Sequence, residues 1–190
     1  MKRNIMAGSK IKDLVKCGQI LHDLGLIIGP GGNISIRDGK HIIIKKQGAD
    51  MAIDGAKAYT RLLFSQAEKG KEILSTETPF HLACYKADKT IAAVIHAHSP
   101  YTIAAAERTD VLRDISYEFE CILKGPVPVV EYIKPGSQDL AEAIAKEIKK
   151  GACAVILKKH GAVAVGTNIE EALLRIQALE RACITFLHSA

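Results

Sequence analysis

The 190-residue chain has no tryptophan, and its aromatic residues amount to only 5%. So few flat rings leave little for stacking on exposed bases, the usual platform of a single-strand binder. Lysine and arginine total 26 against 21 acids, a net charge of +5. The basic residues are scattered in pairs (Lys45-Lys46, Lys149-Lys150, Lys158-Lys159), not gathered into a tail or stripe. That spread argues against nucleic acid and suits a small anionic substrate such as a phosphorylated metabolite. The five cysteines, Cys17, Cys84, Cys121, Cys153 and Cys183, are odd in number, far apart and without a Cys-x-x-Cys pair. They point neither to a disulfide framework nor to a thiolate zinc site, and read as reduced, mostly buried thiols. No run approaches the ~18 apolar residues of a membrane span. Met1 to Ser9 carries two basic residues with no apolar stretch behind them, so the expected location is the cytoplasm. Repeats, low-complexity tracts and interdomain linkers are absent as well.

What remains is an ordinary globular balance, 48% apolar and 25% charged, at the length of one domain. A chain of this size buries roughly 70% of its unfolded surface on folding. Packing alone can therefore hold the core, and any metal is expected to be functional.

Ile11, Leu14, Val15, Gly18, Leu21 and Leu24 recur at helical spacing, which predicts an amphipathic helix with Ser9 as N-cap and its end near Gly25. Gly29-Pro30-Gly31-Gly32-Asn33 reads as a loop feeding a hairpin, with Ile34 and Ile36 before Asp38-Gly39 and Ile42 to Ile44 after it. Residues 48–74 give no firm pattern, although Tyr59 to Gly70 fits a short helix or strand. Ser75 to Pro79 opens a helix to Ala87, Ala92 to His98 reads as a strand, and Ser99-Pro100 caps a helix through Glu107. Val127 to Tyr132 is a further strand, and Ser137 caps a helix that Gly151 stops. Ala154 to Leu157 and Ala162 to Val165 flank a Lys158-Lys159-His160-Gly161 turn, and Thr167-x-x-Glu170 is a capping box for a last helix. The expectation is one α/β domain over 1–190, built on a mainly antiparallel or mixed sheet.

His96-Ala97-His98 falls in the strand-like run, where the period of two puts both imidazoles on one face, their Cα atoms ~6.5–7 Å apart. Such a pair also occurs by chance, so a third group is needed. His160, at its tight turn after another strand, can supply it: three neutral imidazoles with an open fourth position are the arrangement of a catalytic zinc. There the ion is a Lewis acid on a substrate oxygen. Glu77, starting a helix just before His96, is the candidate acid/base, although an acid in a first helical turn is favoured by the helix dipole alone. The Gly29 to Asn33 loop offers backbone N–H groups to a phosphate but matches neither the P-loop nor the dinucleotide fingerprint. His22, His41, His81 and His188 have no partner at ligand spacing and read as surface or satisfied helix residues.

In their order these pieces resemble the class II, zinc-dependent aldolase and epimerase family. Its Gly-Asn-x-Ser loop is similar to Gly32-Asn33-Ile34-Ser35, its Ser-Ser-Glu element to Ser75-Thr76-Glu77, its His-x-His to His96 and His98, and its His-Gly turn to His160-Gly161. Pro135-Gly136-Ser137 before Leu140-Ala141 is similar too, so the resemblance covers nearly the whole chain. It implies a three-layer α/β/α fold around a central, mainly antiparallel sheet, in a homotetramer with active sites between subunits. It also implies roles: His96, His98 and His160 as zinc ligands, and Glu77 as the group that ligates zinc at rest and carries the proton. Asn33, Ser75, Thr76 and Gly48 match phosphate contacts, and Tyr117 falls, by spacing, where a neighbouring subunit's tyrosine assists at the aldehyde end.

The activity so implied is reversible cleavage of a ketose 1-phosphate, such as L-fuculose 1-phosphate, to dihydroxyacetone phosphate and a small aldehyde such as lactaldehyde. Cleavage leaves an enediolate whose negative charge zinc stabilises. Co²⁺, Mn²⁺ or Fe²⁺ fits the same donors. The pentulose-phosphate 4-epimerase branch usually carries Asp where this chain has Glu77, which favours the aldolase or the related dehydratase. The epimerase's second acid would fall near Glu118 to Glu120, so epimerase stands as the alternative. A non-catalytic interaction module is the reading from another class, disfavoured because all three histidines and the acid are present. Two features depart from the aldolase pattern. Gly29-Pro30-Gly31 lacks the hydroxyl residue of the phosphate loop, and the chain stops at Ala190 without the tail that carries a second tyrosine. A less selective aldolase is the expectation.

Overall fold

The computed structural model describes residues 2–70 and 73–189. Strand alternation sets the architecture. Along β1 (Asn33–Asp38), Ile34 and Ile36 join one apolar cluster while Ser35 turns to the other side; along β2 (His41–Lys45), Ile43 joins the first cluster, and Ile42 and Ile44 the second. The same division runs through β4 (Ala93–Ala97), β7 (Ala154–Leu157) and β8 (Gly161–Gly166), with Ile95, Ile156 and Ala164 on one face and Val94, Val155 and Val163 on the other. A sheet apolar on both faces must be covered on both, which produces three layers.

With β3 (Tyr59–Leu63), β5 (Val111–Leu112) and β6 (Val127–Val130), eight strands form one sheet in the order β3-β2-β1-β4-β8-β7-β6-β5. Every pairing is antiparallel except β6 with β7. The first face is covered by α1 (Lys2–Asp23), α4 (Pro100–Ala105), α5 (Tyr117–Leu123) and α7 (Ile169–His188). The second is covered by α2 (Phe64–Glu68), α3 (Thr78–Ala87) and α6 (Gln138–Lys149). The α/β expectation with a mainly antiparallel sheet holds.

Several local expectations need correction. The first helix begins at Lys2, not after Ser9, since residues 2–9 contain no proline to break it; it does end as expected, with Gly25 at φ +69° and the Leu26 N–H on Leu21 O. The last helix is capped one residue later than Thr167. Asn168 accepts the Glu171 N–H, and Glu171 rather than Glu170 reaches back to the Thr167 N–H and hydroxyl. Ser99 occupies the N-cap position of α4, but its hydroxyl makes no capping bond; the carboxylate of Glu180 accepts the Tyr101 and Thr102 N–H groups instead. The unreadable stretch holds both alternatives in turn, β3 then α2. Neither β5 nor α5 was expected: β5 is two residues long, and α5 is a helix of seven.

Candidate functional site

β1, β4 and β8 lie side by side at the centre of the sheet, and one end of this trio carries the site. Asn33 begins β1 and pairs with His96, which pairs in turn with Val163 of β8. His98 follows β4 directly. His160 closes the β7–β8 turn, its N–H on Leu157 O, with Lys159 at φ +60°. Gly161 next to it has φ +144°, and a Cβ there would lie 2.1 Å from Ala97 O. Only glycine lets β8 come that close to β4, so the His-Gly pair is a packing requirement as well as a sequence motif. From the α3 layer, Glu77 enters at the helix N-cap.

These four side chains converge, their ligand atoms all within 4.8 Å of one another. His96 Nδ1 donates to Ala162 O at 2.9 Å, which leaves the Nε2 lone pair turned to the centre. That Nε2 lies 3.1 Å from His98 Nε2 and 3.1 Å from Glu77 Oε2, while Glu77 Oε1 is 3.4 Å from His160 Nε2. Glu77 is buried, and its Oε1 accepts no hydrogen bond among the described residues. A carboxylate and imidazole lone pairs therefore face one point with too few protons to pair them, which is the situation a divalent cation resolves. The donor set accepts several such ions.

The electrostatics agree. Burial opposes ionisation of Glu77, but the imidazoles of His96 and His160 and the Asn33 N–H outweigh it and hold the carboxyl down at about 2. Burial and the neighbouring His96 push His98 and His160 down to about 4 each. At neutral pH both rings keep bare lone pairs.

The residues read as phosphate contacts lie close by. Asn33 donates from Nδ2 to Glu77 Oε2 at 3.0 Å. Ser75 N–H is bonded to Lys45 O, Thr76 N–H to Gln47 Oε1, and Gln47 N–H to Ile73 O, so Gly48 follows a segment stitched to Ser75 and Thr76. Ser75 is buried, whereas Thr76 and Gly48 are exposed. In the glycine loop the Gly31 N–H is engaged by Ile28 O. Tyr117 is not brought to the cluster: it stands 87% exposed at the start of α5, in the helix layer opposite Glu77.

Sequence reasoning missed two features. Lys45, 3% exposed, donates to Pro30 O at 2.6 Å, and its ammonium is pushed down by burial, against the pull of Asp50 and Glu77. It places a cation beside a loop that lacks a hydroxyl residue. The other is His81, fully buried and bonded through Nδ1 to Ser35 Oγ and through Nε2 to Asn33 Oδ1. Its burial, with His96 nearby, pushes it down to about 3. The signal was present as the spacing Glu77, His81, Tyr85, a stripe of every fourth residue on one helix face.

Residues 12–187 match the model of a family described as class II aldolase and adducin N-terminal domain. An L-fuculose phosphate aldolase of Methanococcus maripaludis is 32% identical over 171 residues, which cover 90% of this chain and 92% of that one. A 3-oxo-tetronate 4-phosphate decarboxylase of Haemophilus influenzae is 26% identical over 178 residues, 91% of this chain and 84% of its own. The crystal structure of L-fuculose-1-phosphate aldolase from Thermus thermophilus superposes with a TM-score of 0.86 at 25% identity, covering 95% of this chain and 94% of that one.

Proposed function

The chain belongs to the class II aldolase and adducin N-terminal domain family, and from that premise we propose that it is a metal-dependent carbon–carbon lyase acting on a ketose 1-phosphate. The products are dihydroxyacetone phosphate and a small aldehyde such as lactaldehyde, with L-fuculose 1-phosphate the model substrate. The observation that carries this reading is the convergence of Glu77, His96, His98 and His160 on one point.

A divalent ion, zinc in the first instance, held by these four residues supplies Lewis-acid stabilisation of the negative charge that develops on substrate oxygens. The chain's own groups do the rest. Glu77, ionised at rest, takes a proton from the hydroxymethyl carbon in the condensation direction, and in cleavage it passes to that carbon the proton given up by the substrate hydroxyl that becomes the aldehyde. Asn33, Ser75, Thr76 and Gly48 hold the phosphate, and Lys45 offsets its charge from the neighbouring strand. Tyr117 serves the site of a neighbouring copy in a homotetramer, which accounts for its exposure. Among the described residues no helix is long and apolar enough to cross a membrane. The proposed location is the cytoplasm.

The decarboxylase relative supports one second reading. Loss of CO₂ from a 3-oxo acid and loss of an aldehyde from a ketose both leave an enolate that the same site would accommodate. Both enolates are protonated at the same carbon, so proton exchange tests the step they share. Release of CO₂ from a 3-oxo acid phosphate against release of an aldehyde from a ketose 1-phosphate separates them. Metal-loaded protein is incubated with dihydroxyacetone phosphate in D₂O, with and without a chelator, and the hydroxymethyl protons are followed by NMR. Stereospecific, chelator-sensitive loss of one proton is expected. No exchange at full metal occupancy would overturn the aldolase reading in favour of epimerase or dehydratase chemistry. A protein that purifies without metal and takes none up would be an interaction module.

A further inference from the structure

Asn33 is 3% exposed, so no bulk water sets its orientation. The two ends of a side-chain amide are nearly equal in shape, so packing cannot choose between them; only hydrogen-bond partners can. The structure supplies a chain of them. On α3, Glu77, His81 and Tyr85 recur every fourth residue, and on β1 Asn33 and Ser35 share the strand face turned toward that helix. Tyr85 Oη lies 2.8 Å from Ser35 Oγ, which lies 2.7 Å from His81 Nδ1; His81 Nε2 meets Asn33 Oδ1, and Asn33 Nδ2 meets Glu77 Oε2 at 3.0 Å.

We propose that Tyr85, Ser35 and His81 form a positioning chain that fixes the sense of the Asn33 amide, oxygen inward and both N–H bonds toward the site. The inference rests on Asn33 and Glu77 belonging to the active site as proposed above. With Glu77 ionised, only one sense gives every donor an acceptor. Tyr85 donates to Ser35, Ser35 to His81 Nδ1, the His81 Nε2–H to Asn33 Oδ1, and Asn33 to Glu77. Reversed, the Asn33 oxygen confronts the Glu77 carboxylate, acceptor against acceptor. The Tyr85 hydroxyl proton is then left with no acceptor among the described residues. The chain does not conduct protons, because the Asn33 amide interrupts it; its work is orientation. One Asn33 N–H holds the carboxylate of Glu77, and the second is left for an anionic substrate group, so the residue presents donors only.

The test has two arms. In wild type, long-range ¹⁵N–¹H correlation spectra should show His81 in the Nε2–H form throughout, from about pH 6 to about pH 8. For function, His81→Leu should slow proton exchange on dihydroxyacetone phosphate at least about ten-fold at unchanged metal content and circular dichroism. His81→Gln, whose amide N–H can reach the same oxygen, should recover the rate to within about three-fold of wild type. An Nδ1–H form in wild type, a His81→Leu rate equal to wild type, or a His81→Gln variant as impaired as His81→Leu would each overturn the chain. Failure of wild type to catalyse exchange would count against the aldolase reading alone, because the imidazole spectrum reads the chain without turnover.

Discussion

A methyl group at Gly161 would sit 2.1 Å from Ala97 O on a backbone at φ +144°, a conformation closed to other L-residues. Gly161→Ala must therefore push β8 off the end of β4 and carry His160 with it. We expect a loss of several kcal/mol in stability and of most metal affinity, read by urea unfolding and by metal analysis after gel filtration. The opposite pattern is expected one residue type away, at Glu77. Glu77→Gln keeps the shape and the bond from Asn33, so three imidazoles should still hold metal, while turnover falls by about 10²–10⁴-fold for want of a proton acceptor. Near-full rate in that variant would remove Glu77 from the mechanism. Both residues stood out in the sequence, Gly161 as half of a His-Gly pair and Glu77 at a helix start, but the reason for the glycine did not. It lies in an approach between strands more than sixty positions apart, which no local pattern carries.

Helix starts show the same limit at the next scale. Ser99-Pro100 marks the beginning of α4 correctly, yet its cap comes from the carboxylate of Glu180 on α7, which also accepts the Thr102 hydroxyl at 2.6 Å. Because His98 immediately precedes this helix, Glu180 ties α7 to the loop that holds a proposed ligand. Glu180→Ala leaves two N–H groups at the helix start without their acceptor. It should cost about 1–3 kcal/mol and weaken metal binding, whereas Ser99→Ala should change stability by less than about 1 kcal/mol. Thermal melts of the two variants check the ranking. The last helix starts one residue beyond the expected cap for a related reason: Thr167 and Asn168 are both capable caps, and Asn168 takes the position while the Glu171 carboxylate accepts the Thr167 N–H and hydroxyl.

At the scale of the whole molecule, burial of histidine makes stability depend on pH. Unfolded, His81 takes up a proton below its ordinary value of 6.5; folded, it resists protonation down to about 3. Between those values the unfolded state binds more protons, so stability falls as pH falls. His81 contributes a slope of about 1.4 kcal/mol per pH unit within that window. His98 and His160, held down to about 4, act in the same direction in metal-free protein. His81→Leu should therefore show a flatter dependence of unfolding free energy on pH between about 6 and 4 than metal-free wild type. Metal acts oppositely. An ion present at a hundred times its dissociation constant stabilises by about 2.7 kcal/mol, so chelation should lower the melting temperature by about 5–10 °C.

The sequence by itself determined the elements that periodicity and breakers specify. It supplied the alternation that makes both sheet faces apolar, the glycine-rich loop before β1, the helices closed by Gly25 and Gly151, and the order of histidines and acid along the chain. Those are properties of neighbours in sequence, and local geometry fixes them. Tertiary structure decided the rest: that Glu77 meets three imidazoles, that Lys45 lies buried against Pro30 O, that Glu180 caps a distant helix, and that His81 is the centre of a polar chain. Each depends on which side chains from separate elements share one buried space. There an unpaired polar atom is costly, and partners are chosen by position, not by sequence distance.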